Sequence, residues 1–263
     1  MAEIPAGVTV TREAGAAWLR LNRPAKHNAF DEAMIVALAD ALDGTAQDAA
    51  VRAVVLAAAG RSFSAGADLG WMRRTAAASR EENLADARRF AAMLAAFDRL
   101  PKPTVALVQG AAYGGALGLI AACDVAFAAD TASFALSEVK LGLVPAVISP
   151  YVLRAIGPRA ARRYFLTGER FDAATALRLG LVHAVVPAAE LEARGRALIE
   201  AIAANAPQAM ARAKALVRQV AGRAIDDALV EETARLIAEV RGGAEACEGI
   251  AAFLDRRAPR WPA

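Results

Sequence analysis

The sequence predicts an α/β protein built on a buried parallel sheet with a helical C-terminal part, and three observations carry that prediction. Apolar runs of strand length, Val51 to Ala57, Thr104 to Val108 and Val125 to Ala128, alternate with helical segments, as in βαβ units. Those runs are apolar without a break, as strands are when both faces of a sheet are covered. From Pro145 onward the pattern is almost entirely helical.

In chain order, Val8 to Arg12 and Trp18 to Leu21 alternate like two strands, with Glu13-Ala14-Gly15 as the turn between them. Asp31 opens an amphipathic helix to about Leu42, whose Ala33, Ile35, Val36, Leu38 and Ala39 share one face. After the Val51 to Ala57 strand, Arg61 to Gly70 reads as a glycine-bearing loop. A helix follows from about Ser79 to Leu100, ended by Pro101 and Pro103. Pro103 to Cys123 carries no charge and has the length of a membrane span, but Gln109 and the glycines at 110, 114, 115 and 118 make it a strand, a glycine turn and a buried helix. The later helices are interrupted by Gly157-Pro158, by Gly168 and by a short strand at Leu181 to Val186. Helices beyond Pro187 find no strands left to cover. The expected division is therefore a core over residues 1–190 and a helical region over 191–263.

The 263 residues are 57% hydrophobic and 22% charged, a globular composition that excludes general disorder. Thirty-one basic and 28 acidic residues leave a net charge of +3, too weak a bias for a polyanion partner. The Arg-Arg pairs have acids interspersed among them and read as solvated helix faces, so no nucleic-acid partner is expected. Cys123 and Cys247 form no CxxC, and Met1 to Val10 has no basic segment followed by an apolar core. The expected setting is reducing and cytoplasmic, with no membrane association.

The common catalytic inventories fail. His27 and His183 are the two histidines, so no zinc site is expected, and no Walker A, GxSxG or GxGxxG pattern is present. Chemistry has to come from backbone groups and carboxylates, and three segments have that character. Ser62 to Leu69 follows a buried strand and is built of small residues, with Asp68 able to cap a following helix. Gln109 to Gly118 lies between a strand and a helix, where free N–H groups attract an anion or a developing oxyanion. Ser133 to Pro145 sets Glu138 among apolar neighbours, where burial favours the neutral acid and suits proton transfer. The alternative for Glu138 is an ion pair with Lys140.

Together these segments resemble the enoyl-CoA hydratase/isomerase, or crotonase, family. The resemblance runs over nearly the whole chain: Leu21-Asn22-Arg23-Pro24 with Asn28-Ala29, Phe63 to Leu69, Gln109-Gly110 through Gly114-Gly115, Cys123-Asp124, Leu136-Ser137-Glu138, Leu141-Gly142-Leu143, Leu166-Thr167-Gly168 and Glu248 to Leu254. Gly110 to Ile120 and Leu136 to Tyr151 resemble bacterial methylglutaconyl-CoA hydratases of leucine and isoprenoid breakdown in particular. The resemblance implies a crotonase-like spiral of ββα turns with a C-terminal helical trimerisation region, and a homotrimer or a hexamer made of two trimers. It implies an acyl-CoA thioester as substrate, coenzyme A being part of that substrate and no separate cofactor being needed. The N–H groups of Ala67 and Gly115 would form an oxyanion hole and Glu138 would be the catalytic carboxylate. Lys26, Ala29, Ala65, Gly66, Asp68, Leu69, Gly114 and Gly118 would line the substrate passage, with Arg256 or Arg257 reaching the nucleotide end.

One position departs from the family pattern. Typical hydratases carry a glutamate where Gly118 stands, in addition to the one at 138. The implied activity is a hydro-lyase adding water across the 2,3 double bond of an enoyl-CoA, branched substrates included. A Δ3,Δ2-enoyl-CoA isomerase using Glu138 alone is the alternative, and a non-catalytic acyl-CoA or RNA-binding member is a third.

Overall fold

The computed structural model describes residues 3–4 and 7–261. Residues 1, 2, 5, 6, 262 and 263, which include part of the N-terminal stretch read above for a leader, lie outside the described residues. The chain opens with strands β1 (Glu3–Ile4), β2 (Val8–Glu13) and β3 (Ala16–Leu21). Ala14 and Gly15, both at positive φ, make the turn between the last two. Helix α1 (Glu32–Gln47) begins where the Asp31 carboxylate accepts the Met34 N–H at 3.0 Å. It runs a turn beyond the expected end at Leu42. Strand β4 (Ala53–Ala58) leads into helix α2 (Leu69–Ala77), whose cap is the expected Asp68 and whose first two residues fall in the stretch read as a loop. Helix α3 (Arg80–Arg99) starts with a Ser79/Glu82 capping box.

The central part alternates two strands with one helix, the ββα repeat that the resemblance implies. Strand β5 (Thr104–Val108) is followed by β6 (Ala111–Tyr113) and helix α4 (Gly115–Ala122). Strands β7 (Val125–Ala129) and β8 (Ser133–Ala135) precede a 3-10 turn at Glu138–Leu141 and helix α5 (Ser149–Thr167), which kinks at Gly157. Then come β9 (Arg170–Asp172), α6 (Ala173–Leu179), β10 (Ala184–Val186) and helices α7 (Leu191–Ala203), α8 (Pro207–Val220), α9 (Asp227–Arg241) and α10 (Ala244–Leu254). The main sheet has the order β1-β2-β3-β4-β5-β7-β10, antiparallel across its first three strands and parallel from β3 onward. A second sheet has the order β6-β8-β9.

Alternate residues of each strand enter two cores, which explains the unbroken apolar runs. On one face Leu19, Val54, Leu56, Ala106 and Val108 pack with α1, α3 and α4. On the other, Trp18, Val55, Val105, Leu107 and Phe127 meet Leu191, Ile199 and Ile202 of α7. The expectation that helices after Pro187 have no strands to cover is therefore corrected: α7 roofs the second sheet face and belongs with the core. Beyond it, α8 is tied down by its Lys214 Nζ, which bonds Asp124 at 2.7 Å, and by Glu245 of α10, which accepts the N–H groups of Gln208 and Ala209. Helices α9 and α10 bury little else. No helix among the described residues is long and apolar enough to cross a membrane.

Candidate active site

Four segments run side by side and in parallel, and their register builds the site. Phe30 bridges Ala67, Ser64 bridges Ala112, and β6 pairs with β8 from Ala111↔Ser133 to Tyr113↔Ala135. The bonds are backbone throughout: Phe30 N–H donates to the Gly66 carbonyl at 2.7 Å, Tyr113 N–H to Ser64 at 3.0 Å, and Gly114 N–H to Ala135 at 2.9 Å. Three residues beyond the Ser64↔Ala112 bridge stand Ala67 and Gly115. The closeness continues along the way, since a Cβ on Gly66 would lie 3.0 Å from the Tyr113 carbonyl oxygen and 4.0 Å from the Gly114 Cα. Gly66, at φ +92°, is one of two positions here that require glycine.

The other is Gly114, with φ 54° and ψ −122°, which turns the chain from β6 into α4 and leaves Gly115 as the first helical residue. The helix start has no side-chain cap. Neither the Ala67 N–H nor the Gly115 N–H donates to another backbone or side-chain group among the described residues. Two free donors on adjacent segments, one at a helix N-terminus, suit a partial negative charge. Phe90 and Phe30 close the apolar side, 3.0 and 3.7 Å from the place a Gly115 Cβ would take.

Glu138 stands over Gly114, its Oε1 3.3 Å from where a Cβ on that glycine would be. Its Oε2 is buried and has no hydrogen-bond partner among the described residues. Burial pushes the Glu138 carboxyl above the ordinary carboxylate range, opposed only by its own backbone hydrogen bond. No ion pair to Lys140 forms, so the alternative of a structural salt bridge at this position is not realised; Lys140 is exposed. An unpaired, half-buried carboxylate of raised basicity beside two free N–H groups can accept a proton and return it at a neighbouring atom.

The rim is assembled by residues 22–30. The Asn28 side chain, fully buried, donates to the carbonyls of Ala59 and Ser62, both at 2.8 Å, and accepts the Arg23 N–H. Ala65 N–H donates to His27, whose ring nitrogens meet Ser62 Oγ and Arg61, each at 3.1 Å. Lys26 and Leu69 are exposed at this rim, next to the exposed Ala65, while Ala29 is buried. His183 is satisfied by accepting the Ala126 N–H at 3.1 Å, as a structural histidine should be.

Three of the residues read as substrate-binding sit otherwise. Asp68 caps α2 by accepting the Gly70 and Trp71 N–H groups at 2.8 and 3.2 Å, and meets Arg23 at 3.3 Å and Lys26 at 3.5 Å. Burial alone would raise its pKa, but those N–H groups and the Lys26 ammonium hold it below the usual value. Its acceptor capacity is thus already used by the protein. Gly118 does not open on the site: it is buried, with Ile148 lying across it. Arg256, in a left-handed turn after α10, is exposed and shares no side-chain hydrogen bond or ion pair with these segments among the described residues. Sequence reasoning missed Ile148, Phe90 and the bridging backbone of Ser64. Only Gly118 hinted at the first, as a glycine inside a helix. No group of three or more His, Cys, Asp or Glu side chains that could hold a metal occurs among the described residues.

The family model for enoyl-CoA hydratase/isomerase matches residues 11–263. The chain belongs to this family. Among solved structures, an enoyl-CoA hydratase from Shewanella pealeana superposes with a TM-score of 0.95 at 47% identity, covering 97% of this chain and 96% of that one. The enoyl-CoA hydratase of Mycobacterium smegmatis follows the same path with a TM-score of 0.90 at 37% identity, covering 97% and 98%. The 2,3-dehydroadipyl-CoA hydratase of Escherichia coli is 34% identical over 252 residues, which are 95% of this chain and 96% of that protein. The crotonase fold of the family is thus the fold of this chain, and its ββα turns are what bring the four segments into register.

Proposed function

We propose that the protein is an enoyl-CoA hydratase, a hydro-lyase that adds water reversibly across the 2,3 double bond of an acyl-CoA thioester. The observation that carries this reading is the single carboxylate of Glu138, half-buried and unpaired among the described residues, beside the unengaged N–H groups of Ala67 and Gly115. The relatives named as hydratases of enoyl-CoA thioesters support it.

The thioester oxygen accepts from the two N–H groups, which polarise the conjugated double bond. Glu138 takes a proton from water as the water oxygen bonds to C3, and the π electrons move onto the thioester oxygen as an enolate. The enolate collapses as the proton passes from Glu138 to C2, so the carboxylate is regenerated. Each preorganised donor to the enolate contributes roughly 2.7–4 kcal/mol by the measure of other oxyanion holes. The scheme uses no metal and no cofactor besides the coenzyme A carried by the substrate. Lys26 and the rim at Ala65 and Leu69 flank the route for the pantetheine chain. Cytoplasmic residence suits a free exposed Cys247.

The test is a turnover panel of 2-enoyl-CoA thioesters that vary in length, branching and terminal charge, 3-methylglutaconyl-CoA included, with products separated as 3-hydroxyacyl or as shifted enoyl. Formation of 3-hydroxyacyl-CoA is expected. Double-bond migration without hydration would transfer the case to an isomerase, in which Glu138 moves a proton from C2 to C4. Binding of acyl-CoA with no turnover on any member would make the chain a binding protein.

A further inference from the structure

The direction of the Ala67 N–H is set by a hydrogen bond on the other side of its own peptide. The carbonyl of the Gly66–Ala67 peptide accepts the Phe30 N–H at 2.7 Å, and the next N–H, that of Asp68, donates to the Phe30 carbonyl at 2.8 Å. In a planar trans peptide the N–H points away from the carbonyl. With that carbonyl turned to Phe30, the Ala67 N–H faces the opposite side, where Ser64 bonds Ala111 and Tyr113 on the segment that leads to Gly115. Phe30 is therefore the clamp on this donor, and one side chain holds the clamp. The Arg23 guanidinium donates to the Ala29 carbonyl at 3.2 Å and to the Asp31 carboxylate at 2.5 Å, the residues before and after Phe30. It also donates at 3.3 Å to the carboxylate of Asp68, the residue after Ala67.

We infer that Arg23 is a positioning residue for the reaction: it holds the Gly66–Ala67 peptide at the angle that turns the Ala67 N–H into the site. The inference rests on the proposed role of that N–H as a donor to the thioester oxygen. Arg23 is itself held along its length. Its backbone N–H donates to the buried Asn28 side chain at 2.8 Å, and its carbonyl accepts the Lys26 and Asn28 N–H groups at 2.9 and 3.0 Å. Its stem lies across Gly7 and leaves no room there for a side chain. The Arg23 side chain is 17% exposed, so its pairs with Asp31 and Asp68 are screened less than a surface bridge. The arrangement needs a planar fork, because Nη1 serves residues 29 and 31 while Nη2 serves residue 68 on the other segment. A lysine ammonium is a single point charge and cannot span both segments in the same way. Misplacement of a reacting partner by 1 Å costs as much as about 10²-fold, so loosening this clamp acts on kcat although Arg23 touches no reacting atom.

The experiment compares wild type with Arg23→Lys and with Asp68→Asn, which keeps an acceptor at the α2 cap and removes the charge that Arg23 meets. The readouts are kcat and KM on but-2-enoyl-CoA, and the absorption maximum of bound 4-dimethylaminocinnamoyl-CoA. This probe is a 2-enoyl thioester whose band moves to longer wavelength as its thioester oxygen accepts hydrogen bonds. In Arg23→Lys, kcat is expected to fall between about tenfold and 10²-fold with KM within about twofold of wild type, and the long-wavelength shift of the probe to shrink. Asp68→Asn is expected to move both readouts the same way by a smaller factor, and it keeps the test intact should Arg23→Lys fold poorly. A lower Tm with kcat and the probe band as in wild type, in whichever variant folds, would make the Arg23 cluster structural only and overturn the inference. A probe band shifted in wild type and less shifted in the variants, with no hydration of but-2-enoyl-CoA, would uphold the positioning role and sink the hydratase reading instead. An unshifted band in wild type would overturn the donor role of the Ala67 N–H and the inference with it.

Discussion

Glu138 carries two opposing demands, because the protein has to bury a carboxylate that the reaction needs ionised. Its pKa is raised in the folded state by desolvation. The folded protein therefore holds the Glu138 proton more tightly than the unfolded chain does, and stability falls as pH rises from the ordinary glutamate value, about 4.3, through the folded one. Glu138→Gln is isosteric and neutral, so it is expected to raise Tm at neutral pH relative to wild type, with the difference vanishing below about pH 4. A scan of Tm against pH checks this, and a lower Tm of the variant at neutral pH would contradict it. The sequence showed Glu138 among apolar neighbours but left its pairing with Lys140 open. A pair three-dimensional in origin cannot be read from residues two apart, because whether they meet depends on the 3-10 turn that separates their directions. Ile148 was less legible still, since its partner Gly118 is 30 positions away.

At the scale of elements, the contact of α4 with Ile148 and Leu94 leaves no room for a side chain at 118. Gly118→Ala gains up to about 1 kcal/mol in helix propensity and loses about 1–3 kcal/mol to overpacking, so a net destabilisation of on the order of 1 kcal/mol is expected. Adding Ile148→Val should restore part of it, because the two positions share the same space. Urea denaturation of the two single variants and the double one measures the coupling, and additive effects would deny the contact. The long strands were legible from unbroken apolar runs, and α1 and α3 from their caps at Asp31 and Ser79. Strands β6, β8 and β9 were not, as three residues carry no periodicity and are strands only by virtue of their neighbours. These short pieces hold the candidate site in register, so its residues were proposed through family resemblance alone and their geometry had no signal in the sequence.

For the molecule as a whole, helices α9 and α10 leave Val230, Ile237, Ile250, Phe253 and Leu254 exposed, Phe253 at 82%. Exposed large apolar side chains concentrated on two helices suit a protein interface. We propose that this face joins copies of the chain in a trimer or a pair of trimers, the assembly that the resemblance implies. Phe253→Glu is expected to reduce the assembly to smaller species in analytical ultracentrifugation, while a monomeric wild type would rule the interface out. The expected division at residue 190 put α7 with this helical end, although α7 packs on the sheet. Helix α7 looked like tail because nothing local in Leu191 to Ala203 reveals that Leu191, Ile199 and Ile202 meet a second face of the sheet.

The central claim is that one carboxylate and two backbone donors perform the reaction, and loss of enoyl-thioester absorbance on but-2-enoyl-CoA tests it most directly in wild type against Glu138→Gln. Wild type is expected to hydrate the substrate, and the folded Glu138→Gln variant to lose on the order of 10²–10⁴ in kcat with a small change in KM. Full activity in Glu138→Gln would contradict the account.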